Sequence, residues 1–292
     1  MPVATKFDVL VCGSLHLDIV VKAPAIPRID ETVVGSAWSH VCGGKGGNQA
    51  VHASRSGART AMIGRVGNDA FGDSLLANLA DLNVDASCVT RDPLRGSGMS
   101  VAILQDDGNY GAVIVSGANL AIDASTIESQ MSKLGGAKVL VLQNEIPEDV
   151  NLAAARAAEK QGAQVVLNAA PARRLHADLI QNIDVLIVNR IEAEALFGAQ
   201  VTDRKSAKAI LETQSVLQCA IVVTLGGDGL VVSGPNIEMT EIAAHPVDVV
   251  STHGAGDCFV GKLAAELARG VGLVEACASA NSFAAAFVSV KN

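Results

Sequence analysis

The chain has 292 residues, 49% of them hydrophobic, and a formal net charge of −8 at pH 7. That length supports a large buried core in one or two domains. An acidic balance with no basic run argues against a nucleic-acid surface, and no apolar stretch reaches the roughly 18 residues that a membrane span needs.

The first eleven residues hold one basic side chain, Lys6, and pass into a strand-like run from Phe7 to Val11 without a small-residue cleavage pattern. A cytoplasmic protein without an export signal is expected. The six cysteines, Cys12, Cys42, Cys88, Cys219, Cys258 and Cys277, lie far apart with no C-x-x-C pair, so reduced thiols and no zinc site are expected.

Asp18 to Lys22 and Thr32 to Val34 read as short strands. Gly43, Gly44, Lys45, Gly46, Gly47, Asn48 and Gln49 then precede a helical pattern through Ala50, Val51, Ala53 and Ser54. Lys and Asn among glycines read either as a flexible turn or as backbone pressed against a polar ligand. It is not a Walker A loop: position 39 holds Ser39 instead of glycine, and Gly46 follows the lysine where Ser or Thr would hold magnesium. Gly256 to Lys262 has the Walker spacing but fails too, with Leu263 at the hydroxyl position inside a predicted helix.

Ser97 to Leu104 and Tyr110 to Val115 read as strands joined by a hairpin-type turn over Gln105 to Asn109. These early strands lack intervening helices. They predict a small antiparallel sheet suited to a lid, formed by segments about 14–40 and 96–117 inserted in a single domain over 1–292.

Further on, doubly buried strand patterns at Lys138 to Leu142, Ala163 to Asn168, Asp184 to Asn189 and Ala220 to Leu225 alternate with helical patterns. The helices are predicted at Pro147 to Gln161, Ile191 to Leu196 and Asp203 to Leu217. This is an α/β pattern with a mostly parallel sheet.

Finally, Thr252, His253, Gly254, Ala255, Gly256 and Asp257 run straight into a helix through Cys258, Phe259, Gly261, Leu263, Ala264 and Leu267. Amides at a glycine-rich helix N-terminus can cradle a phosphate. A carboxylate there can take a proton from a hydroxyl that attacks it. Asp is also a favoured N-cap, so the residues alone leave a plain helix start and a phosphotransferase layout both open.

Together these segments resemble the ribokinase branch of the PfkB carbohydrate kinase family over nearly the whole chain. Gly13, Ser14 and Asp18 are similar to its N-terminal sugar-binding strand, and Gly43 to Asn48 to its first signature. Asn168, Ala170, Pro171, Ala172 and Arg173 resemble its Asn-Pro-Ala-Pro-Ala-Arg segment. Asn189 and Glu192 resemble its Asn-x-x-Glu motif, Thr224, Leu225, Gly226 and Gly229 its nucleotide loop, and Gly254 to Asp257 its second signature.

The resemblance implies a three-layer, Rossmann-like fold with an antiparallel β lid and a kinase that uses ATP and Mg2+. The implied reaction transfers the γ-phosphate to a primary hydroxyl of a pentose, D-ribose giving ribose 5-phosphate. A nucleoside or another sugar as acceptor is one alternative, and a sugar- or nucleotide-binding protein that has lost catalysis is another.

By the same resemblance His16, Asp18, Gly44, Lys45, Asn48, Glu145 and Asp257 hold the sugar. Asp257 would act as the base, with the amides of Gly254, Ala255 and Gly256 around the phosphoryl group. Asn189, Thr224, Gly226, Gly229, Gly256 and Asn281 would hold the nucleotide, and Glu192 the magnesium through water. Without the resemblance, Asp18 reads as a strand-end turn residue, Glu145 as a helix-start charge before Pro147, and Glu192 as an exposed helix residue with Glu194 as a rival.

Two positions depart from the family pattern. His16 replaces the usual Asn, which predicts an altered pattern of accepted hydroxyls. Ser251 replaces the Asp that helps hold a monovalent cation, and the chain stops at Asn292 before further ligands of that ion, so weak or absent activation by K+ is expected. Val20, Val33, Val101, Ile103, Val113 and Val115 predict sticky lid faces and a homodimer through the lid.

Overall fold

A computed structural model describes residues 5–105, 109–214 and 217–290. In chain order the elements are β1 (Phe7–Cys12), β2 (His16–Lys22), β3 (Ala37–Gly43), α1 (Lys45–Arg55), β4 (Thr60–Gly67), α2 (Ala70–Asp81) and β5 (Val84–Asp92). Next come β6 (Gly98–Leu104), β7 (Tyr110–Val115), α3 (Ile127–Leu134), β8 (Ala137–Gln143), α4 (Glu148–Gln161), β9 (Gln164–Asn168), α5 (Ala177–Ile180) and β10 (Val185–Asn189). The last are α6 (Arg190–Phe197), α7 (Arg204–Thr213), β11 (Ala220–Thr224), β12 (Leu230–Gly234), β13 (Ile237–Ile242), α8 (Ala255–Ala268) and α9 (Leu273–Val288).

The large sheet has the order β13-β12-β11-β10-β9-β8-β1-β4-β5. Its pairs from β11 to β5 are parallel, and β12 and β13 extend one edge antiparallel. The doubly buried patterns of the second half become β8 to β11 to within a residue, because each strand gives alternate side chains to two helical layers. Leu140, Leu167, Val188 and Val223 pack with Met131, Ala154, Ala193 and Ile210. Val139, Val166, Ile187 and Val222 pack with Ala50, Leu75, Leu263 and Ala276. The result is a three-layer α/β fold.

The second sheet has the order β3-β2-β6-β7. Its outer pairs are antiparallel, as expected of the small sheet, and only the central β2–β6 pair is parallel. The reason is topological. β2 and β6 each follow a strand of the parallel sheet, β1 and β5, after a short connection, so both leave it in the same direction.

Thr32 to Val34, expected as a strand, lies in an irregular segment containing Pro24 and Pro27; the edge of β2 is instead taken by Ala37–Gly43, which feeds straight into α1. The predicted turn over Gln105 to Asn109 includes Asp106, Asp107 and Gly108, which lie outside the described residues. α7 ends at Thr213, short of the expected Leu217.

Of the apolar residues expected on the lid faces, Val113 is 69% exposed and Val115 is also exposed, whereas Val20, Val33, Val101 and Ile103 are half-buried. Trp38, 70% exposed, adds to the apolar surface. Among the described residues no helix is long and apolar enough to cross a membrane. All six cysteines are free thiols, and burial pushes those of Cys12, Cys258 and Cys277 up to about 12.

Candidate active site

From β1 the chain builds outward to β4 and β5 on one side, and from β8 to β11 on the other. A crevice opens at the carboxyl ends of strands where such an order reverses. There the residues following β1 and β8 meet: Ser14 Oγ donates to Glu145 Oε2 at 2.5 Å. The same oxygen accepts the Lys45 N–H at 2.9 Å, and Ser14 Oγ accepts the Gly46 N–H at 3.3 Å. Glu145 is therefore bound to the N-terminus of α1, where the helix dipole favours a carboxylate, and is not a helix-start charge of α4.

The segment that includes Asn168 and Arg173 holds this loop in place. Asn144 N–H donates to the Ala170 carbonyl at 2.9 Å, Asn144 Nδ2 to the Pro171 carbonyl at 3.0 Å, and Arg173 Nη1 to the Ile146 carbonyl at 2.9 Å.

Gly44 has φ 84, and a Cβ there would stand 2.7 Å from the His16 nitrogen, so only glycine fits. His16 is buried, its Nδ1 3.9 Å from Glu145 Oε2, and its Nε2 has no partner among the described residues. Asp18 is not a strand-end residue. It sits within β2, accepts the Ser100 hydroxyl at 2.5 Å, and occupies space that a Cβ on Gly43 would invade to 2.1 Å.

Asp257 is the third residue of α8, whose N-cap is Gly254 at φ 76, so the aspartate does not cap the helix. Its carboxylate turns to α1: Asn48 Nδ2 donates to Oδ2 at 3.1 Å and Gln49 Nε2 to Oδ1 at 2.9 Å. The residue is 7% exposed. Burial pushes its pKa above the ordinary carboxylate range; Lys45 and the two amides oppose the rise, and Glu145 adds to it.

Of the three amides expected to form a cradle, Gly254, Ala255 and Gly256, one has a partner within the chain. Ala255 N–H already donates to the Thr252 carbonyl at 3.2 Å, because the Gly254 turn folds the chain back one step early. The N–H groups of Gly254 and Gly256 have no partner among the described residues. Beyond its chain neighbours and its own helix backbone, a Cβ on Gly256 would meet none of the described residues within 4 Å.

Glu192 is 6% exposed, not the exposed helix residue its sequence position also allowed, whereas Glu194 is exposed. It forms a capping box with Asn189: its oxygens accept the Asn189 N–H at 2.8 Å and Nδ2 at 2.9 Å, and Asn189 Oδ1 accepts the Glu192 N–H at 2.9 Å. Burial raises the pKa of Glu192, with Lys45 opposing and Asp257 adding to the rise, which sets these three charges in one electrostatic neighbourhood.

Among the described residues no group of three or more His, Cys, Asp or Glu side chains is placed to hold a metal. A single buried carboxylate, Glu192, fits a magnesium ion that keeps most of its water shell, and does not fit an all-protein cage.

Thr224 ends β11, and the loop after it is closed by the Leu225 N–H on the Gly229 carbonyl at 2.7 Å. A Cβ on Gly229 would stand 2.0 Å from the Ile242 carbonyl, whereas one on Gly226 would meet nothing within 4 Å. Asn281, on α9, donates to the Ala243 carbonyl at 2.8 Å. Ser251 is exposed; its Oγ accepts the His253 N–H at 3.2 Å and its own N–H donates to the Val288 carbonyl at 3.3 Å.

Sequence reasoning placed Ser14 only within the segment similar to the sugar-binding strand, and gave no site role to Gln49 and Ser100. For Gln49 a signal was present. It lies three and four residues before His52 and Ala53, on the face of α1 that is buried.

The chain matches the model of the pfkB family carbohydrate kinases over residues 6–292. It is 35% identical to the ribokinase of Lactococcus lactis, covering 89% of this chain and 83% of that one. It is 34% identical to the ribokinase of Mus musculus, covering 89% and 81%. The structure of Arabidopsis thaliana ribokinase complexed with ribose and ATP superposes with a TM-score of 0.90 at 27% identity, over 98% of this chain and 94% of that one. A carboxylate seated at an open helix N-terminus, in a fold and sequence so matched, makes the chain a member of the pfkB family of carbohydrate kinases.

Proposed function

We propose that the chain is an ATP-dependent ribose kinase that transfers the γ-phosphate to the primary hydroxyl of D-ribose, giving ribose 5-phosphate. The observation that carries this reading is Asp257: a buried carboxylate gripped by two amide donors, one residue past a glycine with open space around it. The ribokinase relatives and the ribokinase complexed with ribose and ATP support the choice of acceptor and donor.

Asp257 takes the proton of the primary hydroxyl as the hydroxyl oxygen attacks the γ-phosphorus in line; the bond from that phosphorus to the β,γ-bridging oxygen breaks and ADP leaves. The raised proton affinity of Asp257 brings it toward the operating pH, where a general base is most effective. The N–H groups of Gly254 and Gly256, with the α8 dipole behind them, stabilise the charge spread over the phosphoryl oxygens.

His16, Asp18, Gly44, Lys45, Asn48 and Glu145 hold the sugar hydroxyls, and an acceptor lacking one of those hydroxyls forfeits the bonds it makes. Thr224, Gly226 and Gly229 line the nucleotide, Asn281 lies toward the adenine, and Asn189 with Glu192 orders the water around the phosphates. Mg2+, when bound, neutralises charge on the β- and γ-phosphates.

His16 favours a second reading of the acceptor. An imidazole whose Nε2 has no partner among the described residues, in place of a carboxamide, suits a different hydroxyl pattern, that of another pentose or a nucleoside. The exposed Trp38, Val113 and Val115 fit a homodimer through the small sheet, and we place the protein in the cytoplasm, where ATP is available.

The test is ADP release by the purified chain with D-ribose, other pentoses, hexoses and nucleosides, under matched Na+ and K+. A pentose is expected to give the highest kcat/KM. Little response to K+ is expected from a hydroxyl at Ser251. No acceptor-dependent ADP release would refute the kinase reading, and a many-fold K+ activation would refute the reading of Ser251.

A further inference from the structure

Gln49 is fully buried and so cannot itself touch a substrate, yet its Nε2 donates to Asp257 Oδ1 at 2.9 Å. Asn48, the preceding residue, is only half-buried and donates to the other oxygen, Oδ2. The two oxygens are therefore held by two different donors, one fully buried and one partly exposed. A carboxylate held on one side alone could rotate about its last torsion toward Lys45, whose charge acts on it.

The reach of Gln49 depends on how closely α1 and α8 approach. A Cβ on Gly261 of α8 would stand 2.6 Å from the Gln49 carbonyl oxygen, 2.7 Å from His52 Cβ and 2.8 Å from the Ala53 nitrogen. The helices thus meet almost backbone to backbone one turn beyond Asp257. That close contact, not the loop before α8, sets the distance between the Gln49 amide and the carboxylate.

We propose that Gln49 is a positioning residue for phosphoryl transfer: by holding Asp257 Oδ1 from the interior it fixes the rotamer that presents Oδ2 to the acceptor hydroxyl. The inference rests on the kinase reading above. Misplacing a reacting group by about an ångström costs on the order of a hundredfold in rate, so losing one of two restraints is expected to cost tenfold or more.

The experiment is a double-mutant cycle of Gln49→Met with Asp257→Ala, with sugar affinity measured in parallel by calorimetry. Gln49→Met keeps the length and volume of the side chain and removes the donor. The expected result is a kcat lowered about tenfold or more, with sugar affinity changed little. In the Asp257→Ala background, Gln49→Met should have no further effect on the residual rate, since there is no carboxylate left to orient.

A kcat for Gln49→Met close to that of the parent overturns the proposal, and so does an equal loss with and without Asp257. Should Gln49→Met fail to fold, Gln49→Glu, which keeps the shape and replaces the donor by an acceptor, is read in the same cycle by the same criteria. If the parent itself shows no acceptor-dependent ADP release, the kinase reading fails and takes the inference with it; an active parent with an indifferent Gln49 sinks the inference alone.

Discussion

Gly256→Ala separates what the fold needs from what a ligand needs. The residue lies in the first turn of α8, its φ is not positive, and beyond its chain neighbours and its own helix backbone a Cβ there would meet none of the described residues within 4 Å. Alanine is therefore tolerated by the fold and reduces the entropy of the unfolded chain. The gain is about 0.5 kcal/mol, which raises Tm by about 1–2 °C in a chain of this size. If a phosphoryl group rests against that backbone, the added methyl overlaps it. Overpacking of one methyl costs about 1–3 kcal/mol, which is about tenfold to a hundredfold in kcat/KM for ATP. The assay is a melting curve beside steady-state kinetics with ATP varied. A more stable variant with unchanged kcat/KM would mean that nothing approaches Gly256, and the phosphate cradle would have to lie elsewhere.

Other outcomes follow from the same geometry. Asp257→Asn is expected to lower kcat by at least about a hundredfold while raising Tm. The folded pKa of Asp257 is raised, so its contribution to stability is present at low pH and lost as pH rises through that pKa; a lower Tm for Asp257→Asn at pH 8 would contradict this. His52 is buried with its pKa lowered from 6.5 to about 4, so the parent should lose stability as pH falls through that window. The loss is about 2–3 kcal/mol relative to His52→Leu, and urea midpoints of both proteins at several pH values would expose a parallel decline if the reasoning is wrong. His16→Asn is expected to shift relative kcat/KM toward D-ribose across the acceptor panel, and an unaltered ranking would remove His16 from specificity.

How legible the molecule was in its sequence depended on whether a residue's role was local. The strands β8 to β11 were readable because burial on both faces leaves an unbroken Val, Leu and Ile run. The small sheet was misread at Thr32 to Val34, since β-branched residues mark a strand only where a partner edge exists, and β2 offered that edge to the more polar Ala37–Gly43. Asp257 was visible through its glycine-rich approach, but its immediate donors were not equally so. Asn48 stood in a recognisable signature, whereas the bond from Gln49 crosses 208 positions. Glu145 could not be distinguished from a helix-start charge until Ser14 and Lys45, from distant parts of the chain, were seen to meet on one of its oxygens. The pairing of one of the three expected amides was hidden for a similar reason: only the backbone path reveals that the Ala255 N–H turns to Thr252.

The smaller sheet is rooted on a single row, in which His16 is flanked by Gly43 on β3 and Gly98 on β6. On the proposed reading that row also borders the acceptor, and the next residues along the chain from Gly43 are Gly44 and Lys45. The fulcrum for any tilt of the outer strands would therefore coincide with the groups proposed to hold the sugar. Occupancy and tilt would be two readings of one coordinate, linked without a relay, and a sugar that sat badly against His16 would be felt as torque at the far tips of the sheet.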